Sequence, residues 1–134
     1  MSIDWDELET RALAVRARAH APYSNYLVGA ALVTKGGSVY AGCNVENASY
    51  GLAVCAERIA VFGAVADGAR AFEKLAVVCA CPGGCLPCGA CRQVLAEFAP
   101  GLPLVLGEPD GAFRTATLDE LLPQPFLPDH LDKP

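Results

Sequence analysis

The feature that most constrains this chain is a set of three cysteines and one glutamate that stand in two short motifs. Cys55-Ala56-Glu57 forms the first motif, and Pro87-Cys88-Gly89-Ala90-Cys91 forms the second. Three thiolate ligands leave a tetrahedral zinc with one open position, which distinguishes a catalytic zinc site from a closed structural one. Glu57 stands two residues after the first cysteine, where it can handle the protons of a water at that position without being a ligand. The pattern predicts a hydrolytic zinc enzyme.

Both motifs coincide with predicted helix starts. A helix is predicted over residues 54–65, and Pro87 precedes a second one that extends to about Pro100. The unpaired N–H groups and the positive dipole end of a helix start lower a thiol pKa and favour the thiolate that binds metal. Three thiolates outweigh the charge of a divalent zinc. We therefore expect Arg58, which follows Glu57, to donate to the sulfurs and offset the excess negative charge.

The additional cysteines leave a second interpretation open. A Cys-x-x-Cys pair in a cytosolic protein is also typical of a redox pair. A four-cysteine zinc or iron–sulfur site is suggested by the spacing of Cys81, Cys85, Cys88 and Cys91. Such a site predicts a non-enzymatic protein with a structural metal, but it leaves the first motif unexplained. We therefore interpret Cys81 and Cys85 as small residues that do not bind metal.

Hydrophobic patterning predicts a layered α/β fold. Asp4 as N-cap, with Glu7 three residues later, predicts a first helix that runs to about His20. Continuous apolar runs predict buried strands, and a Lys-Gly-Gly-Ser turn predicts that the first two strands pair antiparallel. The predicted strands cover residues 28–33, 39–43, 75–80, 102–106 and 113–116, and a short helix covers residues 118–122. We expect one domain over residues 1–134, with a C-terminal tail from about residue 123.

Composition and charge narrow the function classes. Ten basic residues against fifteen acidic ones give a formal net charge of −5 without a basic cluster, whereas nucleic-acid binding normally shows a concentrated basic surface. No apolar run approaches the roughly 20 residues of a membrane helix. The cysteine count, seven, is odd and no signal-peptide pattern is present. We expect a cytoplasmic protein with a small uncharged substrate and with neither a nucleic-acid nor a membrane partner.

The helix predicted over residues 54–65 is apolar nearly all round its axis. A helix of this kind is buried on all sides. In a chain of 134 residues, we expect the sheet to cover one side of it and another subunit to cover the other.

Taken together, the motifs resemble the small, homotetrameric, zinc-dependent cytidine deaminases. The resemblance extends over roughly residues 8–128, and it rests on residues 21–26, 28–32, 42–50, 55–58 and 87–93. It implies a three-layer α/β/α fold whose mixed sheet of about five strands carries helices on both faces. It also implies one Zn²⁺ per subunit, held by Cys55, Cys88 and Cys91, and a homotetramer whose active sites are completed by neighbouring subunits.

The resemblance implies a reaction as well. Cytidine and deoxycytidine would be hydrolysed to uridine and deoxyuridine plus ammonia, as in pyrimidine salvage, with Glu57 as the catalytic proton carrier. A deaminase for another aminated nucleoside, such as blasticidin S, is the closest alternative.

Substrate contacts are implied by the same resemblance. Asn44 and Glu46 would hydrogen-bond the ribose hydroxyls, although asparagines after a strand otherwise indicate turn geometry. Tyr26 would stack on the base or the sugar, at a position where the family usually has Phe. Further substrate contacts are implied for Ala48, Tyr50, Ala56 and, towards a neighbouring subunit, Phe126. Leu86 departs from the family pattern, because Ser is common before the second motif.

Overall fold

A five-stranded mixed sheet carries the fold in a computed structural model that describes residues 3–79, 85–108 and 112–131. The strands are β1 (Val28–Thr34), β2 (Val39–Cys43), β3 (Phe72–Cys79), β4 (Pro103–Gly107) and β5 (Phe113–Thr117), and the helices are α1 (Trp5–Arg16), α2 (Ala56–Ala66), α3 (Gly89–Phe98) and α4 (Leu118–Leu121). The strand order is β2-β1-β3-β4-β5, with β3 and β4 parallel and the other neighbours antiparallel.

Alternation along the strands divides the core between the two faces of the sheet. Ala30 and Leu32 of β1 belong to the apolar cluster that includes α2 and α3, whereas Ala31 and Val33 belong to the cluster that includes α1. All seven residues of β1 are buried, because successive side chains point to opposite faces and both faces are covered. The α/β/α layering with helices on both faces is therefore confirmed.

Two glycines let helices lie directly against the sheet. A Cβ on Gly29 would stand 1.9 Å from the carbonyl oxygen of Ala12 in α1, and a Cβ on Gly42 would stand 2.5 Å from the carbonyl oxygen of Ala56 in α2. Only a residue without a side chain permits this approach. The contact at Gly42 presses the N-terminus of α2, which carries the first cysteine motif, against β2.

The first helix ends earlier than the sequence predicted. Asp4 is the N-cap, and its carboxylate accepts a hydrogen bond from the Glu7 amide at 2.8 Å. However, α1 ends at Arg16, and His20 lies outside it. The His20 amide donates to the Asn44 carbonyl at 3.0 Å, and the Glu46 amide donates to the His20 carbonyl at 2.8 Å. These long-range bonds replace the helical ones that the local pattern favours.

A similar contact shifts the start of α2. Val54 pairs with Val45 through two backbone hydrogen bonds of 3.0 and 2.9 Å, so that the helix begins at Ala56 and not at Val54. At the other end, Gly68 has a positive φ of 99°, as expected for the glycine that closes a helix. Among the helices of the described segments, none has both the length and the apolar character needed to cross a membrane.

Candidate functional site

Three cysteine sulfurs meet where two helices begin. Cys55 is the N-cap of α2, Cys88 is the N-cap of α3, and Cys91 lies in the first turn of α3. The Sγ atoms of Cys55 and Cys88 are 3.7 Å apart, those of Cys88 and Cys91 are 3.5 Å apart, and all three lie within 4.8 Å of one another. A tetrahedral zinc with bonds of about 2.3 Å would separate its sulfur ligands by about 3.8 Å. The cluster fits one zinc ion.

Cys85 does not join this cluster. In the part of the chain that the structure describes, the group with metal-binding geometry consists of Cys55, Cys88 and Cys91. Cys85 is 7% exposed and belongs to the apolar core, and burial raises its thiol pKa, which disfavours the thiolate. Cys81, the other residue of the four-cysteine interpretation, lies outside the described residues.

Charge is concentrated on Cys55 when no metal is present. The neighbouring Cys91 thiol, together with the Arg58 guanidinium, lowers the Cys55 pKa to about 5. The Nη2 atom of Arg58 lies 3.3 Å from the Cys55 sulfur. The proximity of Cys55 in turn raises the pKa of the Cys91 thiol. Arg58 thus contacts the sulfur cluster directly, as expected for a residue that offsets its negative charge.

Glu57 is placed in the first turn of α2 with its side chain in the protein interior. It is only 4% exposed, and burial raises its pKa to about 7. A carboxyl group that changes protonation state near neutral pH suits general acid–base catalysis, because it can both accept and return a proton. The burial and the position beside Cys55 support the role that the sequence predicts for this residue.

One cavity of about 370 Å³ joins the cysteine cluster to the polar loop after β2. Its size lies within the range of small-molecule sites. Its walls include eight residues that sequence reasoning selected: Tyr26, Asn44, Glu46, Cys55, Ala56, Glu57, Arg58 and Cys88. They also include residues that it did not assign to substrate, namely Val28, Ala53, Val54, Cys85 and Leu86. The apolar members carry no chemical signature in the sequence, and only their position beside the motifs pointed to them.

Three residues with implied substrate contacts do not line this cavity. Tyr50 is 76% exposed and Phe126 is 57% exposed, and Ala48 is exposed as well. Tyr50 instead lines an adjacent cavity of about 300 Å³, which shares Glu46 and Ala53 with the first one. The substrate contacts of these three residues stay predictions, and that of Phe126 is expected towards a neighbouring subunit.

Asn44 and Glu46 make contacts within the chain that the sequence did not predict. The Asn44 Oδ1 atom accepts from the Val28 amide at 2.8 Å, and its Nδ2 atom donates to the Tyr26 carbonyl at 2.7 Å. Glu46 accepts hydrogen bonds from the loop at residues 23–24. Both side chains thus hold the segment before β1, as the turn-geometry interpretation of the asparagine suggests. Their contact with ribose stays a prediction.

Two residues that follow the second cysteine motif were missed. Arg92 donates to the Pro87 carbonyl at 2.8 Å and to the Leu121 carbonyl at 2.7 Å. Gln93 donates to the Phe126 carbonyl at 2.6 Å and accepts from the Phe126 amide at 3.2 Å. Together they attach the C-terminal segment to the helix that carries two of the cysteines. The family resemblance extends over both residues but assigned neither of them a role.

Comparison with known proteins agrees with this geometry. Residues 4–104 match the family model of the cytidine and deoxycytidylate deaminase zinc-binding region. The cytidine deaminase of Sporosarcina psychrophila is 45% identical over 130 residues, which cover 96% of each chain. The crystal structure of cytidine deaminase from Burkholderia pseudomallei has a TM-score of 0.90 and 50% identity, and the match covers 92% of this chain and 100% of that one.

A more distant relative has a different substrate in its name. The blasticidin-S deaminase of Bacillus cereus is 33% identical over 104 residues, which cover 72% of this chain and 74% of that protein.

Proposed function

Because this chain belongs to the cytidine and deoxycytidylate deaminase family, we propose that it hydrolyses cytidine and deoxycytidine to uridine and deoxyuridine, with release of ammonia. One observation carries the proposal: a cluster of three cysteine sulfurs at zinc spacing meets, through Cys55 and Cys88, the same cavity that the buried Glu57 lines. A neutral nucleoside has the size for this cavity. A place in pyrimidine salvage follows from the reaction.

Cys55, Cys88 and Cys91 would hold the metal and leave one coordination position open. Zinc bound there supplies a Lewis acid that makes hydroxide available near neutral pH. Glu57 accepts a proton from the attacking water and delivers it to N3 of the pyrimidine, which makes C4 more electrophilic. Once the water oxygen has bonded to C4, Glu57 takes the second proton from that oxygen and passes it to the exocyclic amine. The C–N bond then breaks with ammonia as the leaving group.

The other residues that line the cavity bind the nucleoside or stabilise the metal site. The ring of Tyr26 offers a face on which the base or the sugar packs, and Asn44 and Glu46 hydrogen-bond the ribose hydroxyls. Ala56 forms the wall beside Glu57 and leaves room for the pyrimidine. Arg58 donates to the Cys55 sulfur and reduces the excess negative charge of three thiolates.

The proposal includes a homotetramer in which neighbouring subunits complete each site, with Phe126 as the residue they contribute, and it keeps Ala48 and Tyr50 as substrate contacts. Its support is the exposure of large apolar side chains, since Tyr50, Leu52 and Phe62 are 76%, 65% and 49% exposed. Residues 1–134 would act as one deaminase domain with a tail from about residue 123. The thiolate site requires reduced cysteines, which is consistent with work in the cytoplasm.

The decisive experiment compares Glu57→Gln with the parent protein. We expect the variant to keep its zinc, measured by atomic absorption, and to lose about 100- to 10,000-fold in kcat for cytidine, measured by ultraviolet absorbance, because the proton carrier is gone. Glu97→Gln, at an exposed position of α3, is the matched control and should behave as the parent. A chelator should abolish parental turnover.

Two outcomes would contradict the proposal. A zinc-loaded parent that releases no ammonia from cytidine would overturn it, as would a Glu57→Gln variant as active as the parent. Blasticidin S belongs in the same substrate panel because of the more distant relative. Turnover of blasticidin S without turnover of cytidine would reassign the substrate while keeping the chemistry.

A further inference from the structure

Ser24 lies in the loop before β1, and its hydroxyl group makes two contacts. The hydroxyl donates to the Oε2 atom of Glu46 and accepts a hydrogen bond from the Tyr26 amide at 3.0 Å. Both partners line the cavity beside the cysteine cluster, whereas Ser24 itself does not. A single hydroxyl group therefore connects Glu46 and Tyr26, the two residues for which the proposed function includes contacts with the nucleoside.

The hydrogen-bonding capacity of Glu46 is nearly used up by this loop. Its Oε1 atom accepts from the backbone amides of Tyr23 at 3.1 Å and of Ser24 at 3.2 Å, and its Oε2 atom accepts from the Ser24 hydroxyl. A carboxylate offers about four lone-pair positions, so one remains. The Ser24 bond and the two amides also lower the pKa of Glu46. The group is thus an ionised acceptor at neutral pH, suited to a hydroxyl donor.

The direction of the Tyr26 ring depends on the same loop. Its amide is held by Ser24, and its carbonyl accepts from the Asn44 side chain at 2.7 Å. Asn25, between Ser24 and Tyr26, has a φ of 56°, which is a left-handed conformation that asparagine tolerates better than most residues. Hydrogen bonds therefore hold both the amide and the carbonyl group of Tyr26, the residue that carries the ring.

We propose that Ser24 is a positioning residue for the sugar of the nucleoside. It fixes the carboxylate of Glu46 so that the remaining lone pair accepts a ribose hydroxyl group. The inference rests on the proposed function, and it concerns binding and not the chemical step, because the hydrogen bonds that the described structure gives Ser24 go to Glu46 and Tyr26 and not to Glu57 or the cysteines. Loss of the hydroxyl should therefore raise KM and leave kcat nearly unchanged.

The test is Ser24→Ala assayed on two substrates. For cytidine, we expect KM to rise about tenfold, the effect of one hydrogen bond to a charged group, with kcat within about twofold of the parent. For 2′,3′-dideoxycytidine, which lacks both ring hydroxyls, we expect no change between variant and parent, since Glu46 has nothing to accept from. Ser24→Thr restores the hydroxyl and should restore the parental KM.

Controls keep the experiment interpretable. Ser38→Ala, at an exposed position of the β1–β2 turn, makes the same change away from the cavity and should have no effect. Ser24→Cys retains the side-chain volume but is a weak donor. Ser24→Cys should show the same cytidine-specific rise in KM. It replaces Ser24→Ala in the experiment if Ser24→Ala does not fold with its zinc.

The outcomes separate this inference from the proposed function. An inactive zinc-loaded parent overturns both. An active parent whose Ser24→Ala and Ser24→Cys variants keep the parental KM for cytidine overturns the role of Ser24 alone. An equal loss on cytidine and on the dideoxy analogue also overturns it, because that result indicates general damage to the loop.

Discussion

Arg58 and Cys55 form the charged contact at the centre of the candidate metal site. The guanidinium donates to the sulfur at 3.3 Å, and its own pKa is raised by that bond. The Nε atom of Arg58 is buried without a hydrogen-bond partner in the described residues. A cation held in this way stabilises the thiolate form of the cysteine before metal arrives. It remains beside the sulfurs to offset their charge afterwards.

The reactivity of Cys55 should reflect this contact. In metal-free protein, we expect iodoacetamide labelling of Cys55 to rise as the pH passes about 5 and to level off below pH 8. An ordinary thiol such as glutathione, with a pKa of about 8.5, should still be gaining reactivity there. The labelling profile is shifted to lower pH because a lowered thiol pKa moves thiolate formation to lower pH. Mass spectrometry of the labelled peptide measures the profile.

Arg58→Ala provides the comparison. It should move the labelling profile of Cys55 to higher pH and reduce kcat for cytidine by about 10- to 100-fold. The matched control is Arg11→Ala, whose partner is the exposed Glu7 at 3.5 Å, and it should change neither quantity. A profile that is the same in Arg58→Ala and the parent would show that the guanidinium does not stabilise the thiolate.

At the scale of elements, α3 connects the metal site to the C-terminal segment. Gln93 makes two hydrogen bonds to the backbone of Phe126. Gln93→Leu removes both at nearly constant volume, so we expect the Phe126 amide to exchange its hydrogen about tenfold faster or more. Hydrogen exchange followed by mass spectrometry measures this. Gln124→Leu, an exposed glutamine of the same segment, should not have this effect, and unchanged exchange in Gln93→Leu would contradict the prediction.

The packing of α1 on the sheet depends on Gly29. An added Cβ would stand 1.9 Å from the backbone oxygen of Ala12, so the helix or the strand must move. We expect Gly29→Ala to reduce the free energy of unfolding by about 3 kcal/mol. Urea unfolding followed by circular dichroism measures the change. Gly101→Ala, where an added Cβ meets nothing within 4 Å, is the control, and equal stability of the two variants would contradict this account.

At the scale of the whole molecule, apolar side chains of one chain lie open on the surface. Phe62 is 49% exposed on α2, the helix for which the sequence predicts the sheet on one side and another subunit on the other. Tyr50 and Leu52, in the turn before α2, are exposed still more, at 76% and 65%. Large apolar side chains exposed to this extent are typical of an interface with another chain. The exposure of these side chains is the support for the proposed homotetramer.

Phe62→Glu tests the assembly. A charge at a buried interface is costly, so we expect the variant to elute as a smaller species in size-exclusion chromatography with light scattering and to lose activity on cytidine. Phe113→Glu makes the same change on β5 at nearly equal exposure, 48%, and should keep the parental size. A parent that is monomeric and active would contradict the tetramer and the shared active sites together.

The sequence by itself determined the features that depend on local pattern. The continuous apolar run of β1, the N-cap at Asp4 and the two cysteine motifs at helix starts all appear as predicted. They could be predicted because hydrophobic periodicity, capping and ligand spacing act over a few residues. The family resemblance rests on those same motifs, and with them it indicated the layered fold and the metal site.

The tertiary structure alone decided which polar groups meet. Asn44 contacts Val28 across 16 positions, Glu46 contacts Tyr23 across 23, and Gln93 contacts Phe126 across 33. Hydrogen bonds between residues so far apart leave no periodic pattern in a sequence. Within its own segment, each of these residues looks like any other polar side chain of similar length. The early end of α1 has the same origin, since the backbone of His20 bonds to the segment after β2. The chemistry of the site could therefore be predicted from its motifs. The hydrogen bonds that position its loop could be identified only from the tertiary structure.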